Sequence, residues 1–284
     1  MINFGHEYIK GHFGSNLALG TQQTIQNQFR FNPRPLIDHI IDCLALSGTE
    51  KLLDMGCGNG FILRDVVTRL RNGGSVTAID IAPAMLKLAQ ANVNTAWVPV
   101  QFVEDDVTKL DPEKYGQFDR VMVNFLFHYI TDPEALIGKL RRLVRLGGKL
   151  TVAIEAHNSM SKMYSLHFDG MQKAGFPTEF INALPKGRRG KMVLENAERY
   201  LAASFDHVEE VPYIDKLVFP AVDDYMRFYS DGHGYCGVKS NAGDWLTDEM
   251  TTSLISFVRS SVEADIAKTG AFVLEKKNSV FVCS

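Results

Sequence analysis

The stretch Leu52-Leu53-Asp54-Met55-Gly56-Cys57-Gly58-Asn59-Gly60 joins an apolar run, an acid and three alternating glycines, the makings of a turn that holds a ligand. The apolar lead-in reads as a strand, and Leu63, Val66, Val67 and Leu70 follow at helical spacing. Gly56 and Gly58 permit a sharp bend that brings backbone within contact of a cofactor, and the helix start adds unpaired N–H groups. A dinucleotide fingerprint needs Gly or Ala three residues after its second glycine. Counting from Gly58, that position is Phe61, so a nicotinamide or flavin pyrophosphate is disfavoured. No Gly-Lys-Ser/Thr follows, which excludes a P-loop. Asp54, at the carboxyl end of the strand, would repel a pyrophosphate but suits a ligand carrying an ammonium group.

Other residues able to do chemistry follow in order. Asp80 lies 20 residues beyond Gly60, the approximate offset at which an acid in a nucleotide-binding βαβ unit accepts from both ribose hydroxyls. Glu104-Asp105-Asp106-Val107 places three consecutive acids after a short apolar run. Asn124 and Phe125 fall at the carboxyl end of a nearly continuous apolar strand, where open α/β sheets bind ligands.

With these residues in this order, positions 50 to 156 resemble a class I S-adenosylmethionine-dependent methyltransferase. Leu53-Asp54-Met55-Gly56-Cys57-Gly58-Asn59-Gly60 matches the first motif of that family at every defining position. The resemblance implies an S-adenosylmethionine site, with S-adenosylhomocysteine as the product. Asp54, Gly56, Cys57 and Gly58 would belong to it, Asp80 would hold the ribose, and Ile81 would pack on the adenine. Met85 belongs either to this group or to the core. Asp106 would accept from the adenine amino group and the Val107 N–H would donate to the ring, with Asp105 as the alternative acid. Asn124 and Phe125 complete the cofactor set. Acceptor contacts in the family begin after the fourth strand, which makes His128 the first candidate general base and Tyr129 the second. His157, His233, Tyr229 and Tyr235 are further candidates for the pocket. The implied fold is α/β and doubly wound, a seven-stranded, mostly parallel, Rossmann-like sheet with an antiparallel last strand, an N-terminal lid and a helical cap insertion.

The elements that must position these residues can be read from pattern. Residues 1 to about 33 are rich in Gly, Gln, Asn and aromatics, including His6, Tyr8, His12, Phe13, Phe29 and Phe31, and are expected to be irregular or partly helical, or a lid. Pro35 introduces a helix through Leu36, Ile37, Ile40, Ile41 and Leu44. Ser75 to Asp80, Val100 to Val103 and Phe118 to Phe125 read as strands, with a helix from Pro83 between the first two. Asp132-Pro133-Glu134 caps a helix whose buried stripe runs to Val144, and Gly147-Gly148 stops it before a strand over Lys149 to Glu155. His157 to Lys191 has few apolar repeats and contains the basic run Lys186-Gly187-Arg188-Arg189-Gly190-Lys191, either a loop or an anion site. A helix over Val193 to Ala203 and a strand over Val208 to Phe219 follow. The cap then comprises Asp223 to Tyr229, the polar loop from Ser230 to Gly237, and a long helix from Thr247 to Lys268 with Thr247 as N-cap. The end reads as a hairpin, Ala271 to Glu275 and Ser279 to Cys283 around a Lys276-Lys277-Asn278 turn. The expected division is 1–48 for lid and helix, 49–156 for the cofactor-binding core, and 157–284 for the rest of the sheet with a substrate cap at about 157–190 and 220–270.

Composition bounds the function classes. With 284 residues and 45% hydrophobic content the chain can bury a full core. A net charge of -3 and a pI near 6.2 give no general attraction to nucleic acid or anionic lipid. Cys43, Cys57, Cys236 and Cys283 form no C-x-x-C pair, so neither a zinc site nor a disulfide framework is indicated, and no metal is expected. A reducing cytoplasm fits this usage. There is no apolar run of about 20 residues and no charged-then-apolar leader pattern. The expected partner is therefore a small-molecule methyl acceptor at an N, O or C atom, without nucleic acid or membrane; oligomeric state is not legible. Two alternatives stand beside it: methylation of RNA or protein, resting on Arg141, Arg142 and the Arg188 cluster, and a non-catalytic module that binds the cofactor.

Overall fold

The computed structural model describes residues 17–71, 73–184, 190–233 and 246–284. Helices α1 (Leu17–Phe29) and α2 (Leu36–Cys43) precede an alternating series. It runs β1 (Lys51–Met55), α3 (Leu63–Val67), β2 (Ser75–Asp80), α4 (Pro83–Asn92), β3 (Val100–Glu104), α5 (Pro112–Tyr115), β4 (Phe118–Asn124), α6 (Pro133–Leu143) and β5 (Val144–Glu155). Beyond it come α7 (Ser161–Lys173), α8 (Thr178–Ala183), α9 (Leu194–Leu201), β6 (Val208–Phe219), α10 (Val222–Arg227), α11 (Asp248–Thr269) and β7 (Phe272–Cys283). The seven strands form one sheet in the order β3-β2-β1-β4-β5-β7-β6, with β7 antiparallel to both neighbours and the other pairs parallel. This is the expected doubly wound, mostly parallel sheet. Successive connections run outward from β1 in one direction and then from β4 in the other, so a crevice opens between the carboxyl ends of those two central strands.

Strand alternation sorts the side chains into two layers. Leu53, Met55, Val121, Val123, Leu150 and Val152 share a core with Leu136, Ile137, Leu140 and Leu143 of α6 and Ala197 and Leu201 of α9. Leu52, Val76, Ala78 and Met122 face the other way, against Ile41 of α2, Leu63, Val66 and Val67 of α3, and Leu86 and Ala89 of α4. Such two-sided burial is why the central strands read as apolar runs.

Four local expectations are corrected. Helix α3 spans only Leu63–Val67, because the chain turns at Thr68 and Arg69 and leaves Leu70 buried just beyond it. Val144 is extended and begins β5, which runs through Gly147-Gly148 instead of starting after it. The register with β4 shifts there, from Phe118↔Val144 to Arg120↔Lys149. A Cβ on Gly148 would stand 3.0 Å from the carbonyl oxygens of Phe118, Asp119 and Arg145, so this glycine marks a bulge with backbone pressed on backbone, not a stop. The last strand is likewise unbroken: Lys276-Lys277-Asn278 is no turn, since Asp215, Ile214 and Tyr213 of β6 pair with those three residues in turn. A full ladder of backbone hydrogen bonds outweighs the turn preference of Lys-Lys-Asn.

The fourth correction concerns 157–184, which holds α7 and α8. The buried positions of α7 are Met163, His167, Gly170 and Met171, a helical stripe disguised by a histidine and a glycine. Helix α7 packs on α11, and Gly170 makes that contact close, because a Cβ there would come within 2.7 Å of Leu254. The two helices, α10 and the extended halves of β6 and β7 enclose a second core of Met163, Met171, Leu217, Phe219, Tyr225, Phe228, Leu254, Val258 and Phe272, joined by Ile25 of α1. As expected, the Thr247 side chain caps α11 by accepting from the Met250 N–H (3.1 Å), and Asp132 caps α6 by accepting from the Ala135 N–H (3.0 Å). Residues 1–16, Lys186 to Arg189 of the basic run, and 234–245, with Tyr235 and Cys236, lie outside the described residues. Among the described residues no helix is long and apolar enough to cross a membrane.

At the sheet's opposite edge a carboxylate closes the loop that feeds β1. Glu50, buried, accepts from the Ser47 N–H (2.6 Å), the Ser47 hydroxyl (2.7 Å) and the Gly48 N–H (2.8 Å). Burial alone would raise its pKa, but these donors outweigh it and hold the carboxyl down at about 2, below the ordinary 4.5. A depressed folded-state pKa stabilises above pH 4.5 and is lost as pH falls toward 2. Glu50→Gln is therefore expected to lower unfolding free energy at pH 7 by roughly 1.5–3 kcal/mol, the worth of hydrogen bonds to a charged group, with the gap narrowing at pH 3. Urea denaturation at both pH values measures this; an equal gap at both would contradict it.

Candidate active site

The glycine turn crosses the carboxyl ends of β1 and β2, with Gly56, Gly58 and Gly60 all at positive φ (77°, 54° and 75°). The N–H groups of Gly56 and Cys57 donate to the Ile79 carbonyl at 2.8 and 2.9 Å, fastening the turn to the end of β2. Gly60 meets two demands at once, since a Cβ there would lie 3.0 Å from the Ala89 Cα on α4 and the φ is one that L side chains rarely adopt. The close helix contact that the dinucleotide fingerprint assigns to a later glycine is thus made here by Gly60. Cys57 packs in the core beside the turn, and burial pushes its thiol pKa far up, so it acts as a small apolar residue.

Two carboxyl groups stand at the turn. Asp80 accepts from the Gly58 N–H (2.8 Å) through one oxygen and from the Ala82 N–H (2.9 Å) through the other, which ties the turn to the strand end that a ribose would meet. Each oxygen keeps a second lone pair for a hydroxyl. Asp54 is buried, at 3% exposure, and its pKa is pushed up to about 8, first by burial and then by the charge of Asp80. A cation beside this buried carboxyl would restore its charge, so these residues fit the ammonium-bearing cofactor.

The remaining sequence-predicted cofactor residues lie around this turn. Ile81 is half-buried at the end of β2, and Met85 is buried on α4, which Pro83 starts. After β3, Asp105 accepts from the Asp106 N–H (2.8 Å) and from the Tyr115 hydroxyl (2.5 Å), while Asp106 accepts from the Thr108 N–H (2.9 Å) and hydroxyl (2.6 Å). Asp105 is thereby wired to α5 and Asp106 to its own turn, with Val107 buried next to it. Asn124 ends β4 with both amide atoms shielded from solvent and without a hydrogen-bond partner, and Phe125 follows at a φ of 54°. A non-glycine residue held there is strained, a mark of functional turns.

Asn59 escaped the sequence reading. Its amide donates to Gln23 of α1 (2.9 Å), and its carbonyl accepts from the Asn92 side chain of α4 (2.9 Å), so α1 is docked on the glycine turn. A polar residue between two turn glycines is the signal that could have disclosed it. The candidate base His128 sits in a 3-10 turn over Phe127–Tyr129, its ring 4.0 Å from that of Tyr129. The chain at Gly190 presses against it, and a small cleft beside it is lined by Phe125, Phe127, Ile154, Glu155, Met192 and Val193. Of the alternatives, Tyr229 lies in the cap, its hydroxyl 2.7 Å from the buried His167, and the His157 N–H donates to Glu195. The side chains of His233 and Tyr235 lie outside the described residues. Among the described residues no group of three His, Cys, Asp or Glu side chains could hold a metal ion.

Strand order and the glycine turn define the class of fold, which is that of class I methyltransferases. Residues 53–152 match the family model described as "Methyltransferase domain". Over 114 residues the chain is 37% identical to the ubiquinone biosynthesis O-methyltransferase of Xanthomonas oryzae pv. oryzae, covering 40% of this chain and 46% of that protein. It is 32% identical over 153 residues to the protein of the same description from Chromobacterium violaceum, covering 54% and 61%. The matches thus span about half the length of these relatives. Among solved structures, phosphoethanolamine N-methyltransferase 2 of Haemonchus contortus, bound to phosphomonomethylethanolamine and S-adenosylhomocysteine, superposes with a TM-score of 0.56 at 15% identity, covering 100% of this chain and 60% of that one. That likeness is one of fold.

The raised carboxyl makes a pH prediction. Asp54 holds a proton between pH 4 and 8 that the unfolded chain lacks, so it lowers stability as pH rises through that window, and a bound cation favours its release. Affinity for S-adenosylhomocysteine should rise with pH between roughly 6 and 7.5, by at most about tenfold per unit, with proton release on binding. Asp54→Asn should bind more weakly and lose the slope. Calorimetry in buffers of different ionisation enthalpy measures both, and a wild-type affinity independent of pH would reject the role.

Proposed function

We propose that this protein transfers the methyl group of S-adenosylmethionine to an N, O or C atom of a small molecule in a capped pocket. The observation that carries this reading is the glycine turn at the carboxyl ends of β1 and β2, with Asp54 buried beneath it and Asp80 bonded to Gly58. The matched family domain, the relatives described as O-methyltransferases and the near-neutral charge support it. In this reading the enzyme needs no metal and works in the cytoplasm.

The cofactor supplies an electrophilic methyl on a sulfonium: its carbon–sulfur bond breaks toward sulfur as the bond to the acceptor forms. The chain's own task is alignment in a dry pocket, which can contribute about 7–11 kcal/mol, against some 3–5 kcal/mol for a general base. Asp54 takes the ammonium and Asp80 the ribose hydroxyls. Asp106, with Val107, holds the adenine edge and Ile81 its face. Asn124 and Phe125 set the border between cofactor and acceptor. His128 takes the proton released by the acceptor, with Tyr129 stacked beside it. Helix α1, docked through Gln23, is the inner wall of an N-terminal lid.

Purified protein should bind S-adenosylmethionine in preference to NADH and convert it to S-adenosylhomocysteine with a suitable small acceptor. A thermal-shift titration at about 100 times the dissociation constant should show stabilisation near 2.7 kcal/mol. His128→Ala should lower turnover at least about tenfold with cofactor affinity intact, consistent with a lost acid–base group. Preference for NADH would refute the function, and unchanged turnover would remove His128 from it.

A further inference from the structure

Strand register lines up one set of polar residues on a single face of the sheet. Asp54 pairs with Met122 on β4, and Asn124, two residues on, pairs with Ala153 on β5. Ala153 pairs with Val280, and Glu155 with Asn278 on β7. Side chains of paired residues share a face, so Asp54, Asn124, Glu155 and Asn278 stand in a row along the carboxyl edge, on the layer that also holds Ile40, Ala153 and Val280. The turn that binds the cofactor occupies the β1 and β2 end of this row. The β5 and β7 end lies two and three strands away from β1.

That end carries a buried polar group with nothing to satisfy it. Asn278 is 2% exposed, and neither its amide nitrogen nor its amide oxygen has a hydrogen-bond partner. Asn124 shows the same at the border with the cofactor. A buried carboxamide without partners costs stability, and a core strand position is filled more favourably by an apolar residue. Two in one row, where the Rossmann-like sheet binds ligands, indicate groups kept for something that arrives from outside. Strands lie about 4.8 Å apart, so β4 to β7 spans roughly 10 Å, the reach of one small acceptor. Helix α1 roofs both ends: Gln23 meets Asn59 of the glycine turn and Gln26 bonds Lys276, two residues before Asn278.

Building on the methyltransferase reading, we infer that Asn124 and Asn278 form the floor of the acceptor site and select an acceptor whose non-reacting part is hydroxylated instead of an apolar chain. Each carboxamide offers both donors and acceptors, which match a hydroxyl in either sense and leave a hydrocarbon tail facing desolvated amides. Asn278 is a specificity residue. Its distance along the sheet from Asp54 keeps it out of cofactor binding.

The test uses the full chain saturated with S-adenosylhomocysteine and follows its melting temperature with catechol, 3,4-dihydroxybenzoate and ethanolamine as hydroxylated probes and toluene as the apolar one. At least one hydroxylated probe should stabilise the wild type. Asn278→Leu should weaken that probe by roughly tenfold or more, about 1.4 kcal/mol, with S-adenosylhomocysteine affinity unchanged. It should also raise the melting temperature of the ligand-free protein, which a merely structural asparagine would lower. Should that variant fail to fold, Asn278→Ala removes the same amide without added bulk and carries the same expectation for the probes. Stabilisation by toluene alone, by no probe, or equally in variant and wild type would overturn the inference by itself. Failure of the wild type to bind S-adenosylhomocysteine would overturn the underlying reading together with it.

Discussion

Two acids that cannot both be charged cheaply share one end of the central crevice, and much of the surrounding structure follows from holding them there. Asp54 is kept from water by the glycine turn above it, and the turn is held down by hydrogen bonds from Gly56 and Cys57 to the Ile79 carbonyl and from Gly58 to Asp80. The same contact that fixes the backbone therefore brings the second carboxylate near the first, and its charge adds to the burial that raises Asp54. A cation relieves both terms at once. A positively charged ligand at this turn would take the place of the proton that the raised pKa puts on Asp54.

The parts of the chain outside the core are connected to that turn. Helix α1 reaches Asn59 through Gln23 and the far strand β7 through Gln26, and Ile25 on its other side enters the cap's own hydrophobic core. It also packs on the π-helical turn Phe228–His233 that extends α10. Such turns widen a helix by one residue and occur often near functional sites. One helix thus joins the glycine turn, strand β7 and the second hydrophobic core. A change in any of the three bears on the packing of the other two. The second core rests on β6 and β7, which run on past the end of β5 as an antiparallel pair.

The distribution of polar groups agrees with a division of labour along the sheet. At the lower edge, Glu50 is fully bonded by its own loop and serves stability. At the carboxyl edge, Asn124 and Asn278 are buried and unpartnered. The hydroxyls of Thr151 and Tyr225 are also buried without a partner, so it is their place at the carboxyl edge of the sheet that sets the two asparagines apart.

Short-range spacing was enough to read the glycine turn, Asp54 and Asp80, the apolar central strands and the caps at Asp132 and Thr247, because each of these is set by residues within a few positions of one another. The bulge at Gly148 and the straight run of β7 through Lys276-Lys277-Asn278 were not legible, since both are imposed by a neighbouring strand whose hydrogen bonds override local turn preference. Helix α7 was hidden for a related reason: its buried stripe includes His167 and Gly170, which are buried only because Tyr229 and α11 come to meet them. The amino-acid sequence by itself determined the class of fold and the glycine turn with its two acids. Only the tertiary structure decided the polar row at the carboxyl edge, because Asn124, Glu155 and Asn278 are aligned through the register of three strands, and register between distant segments leaves no local trace in a chain.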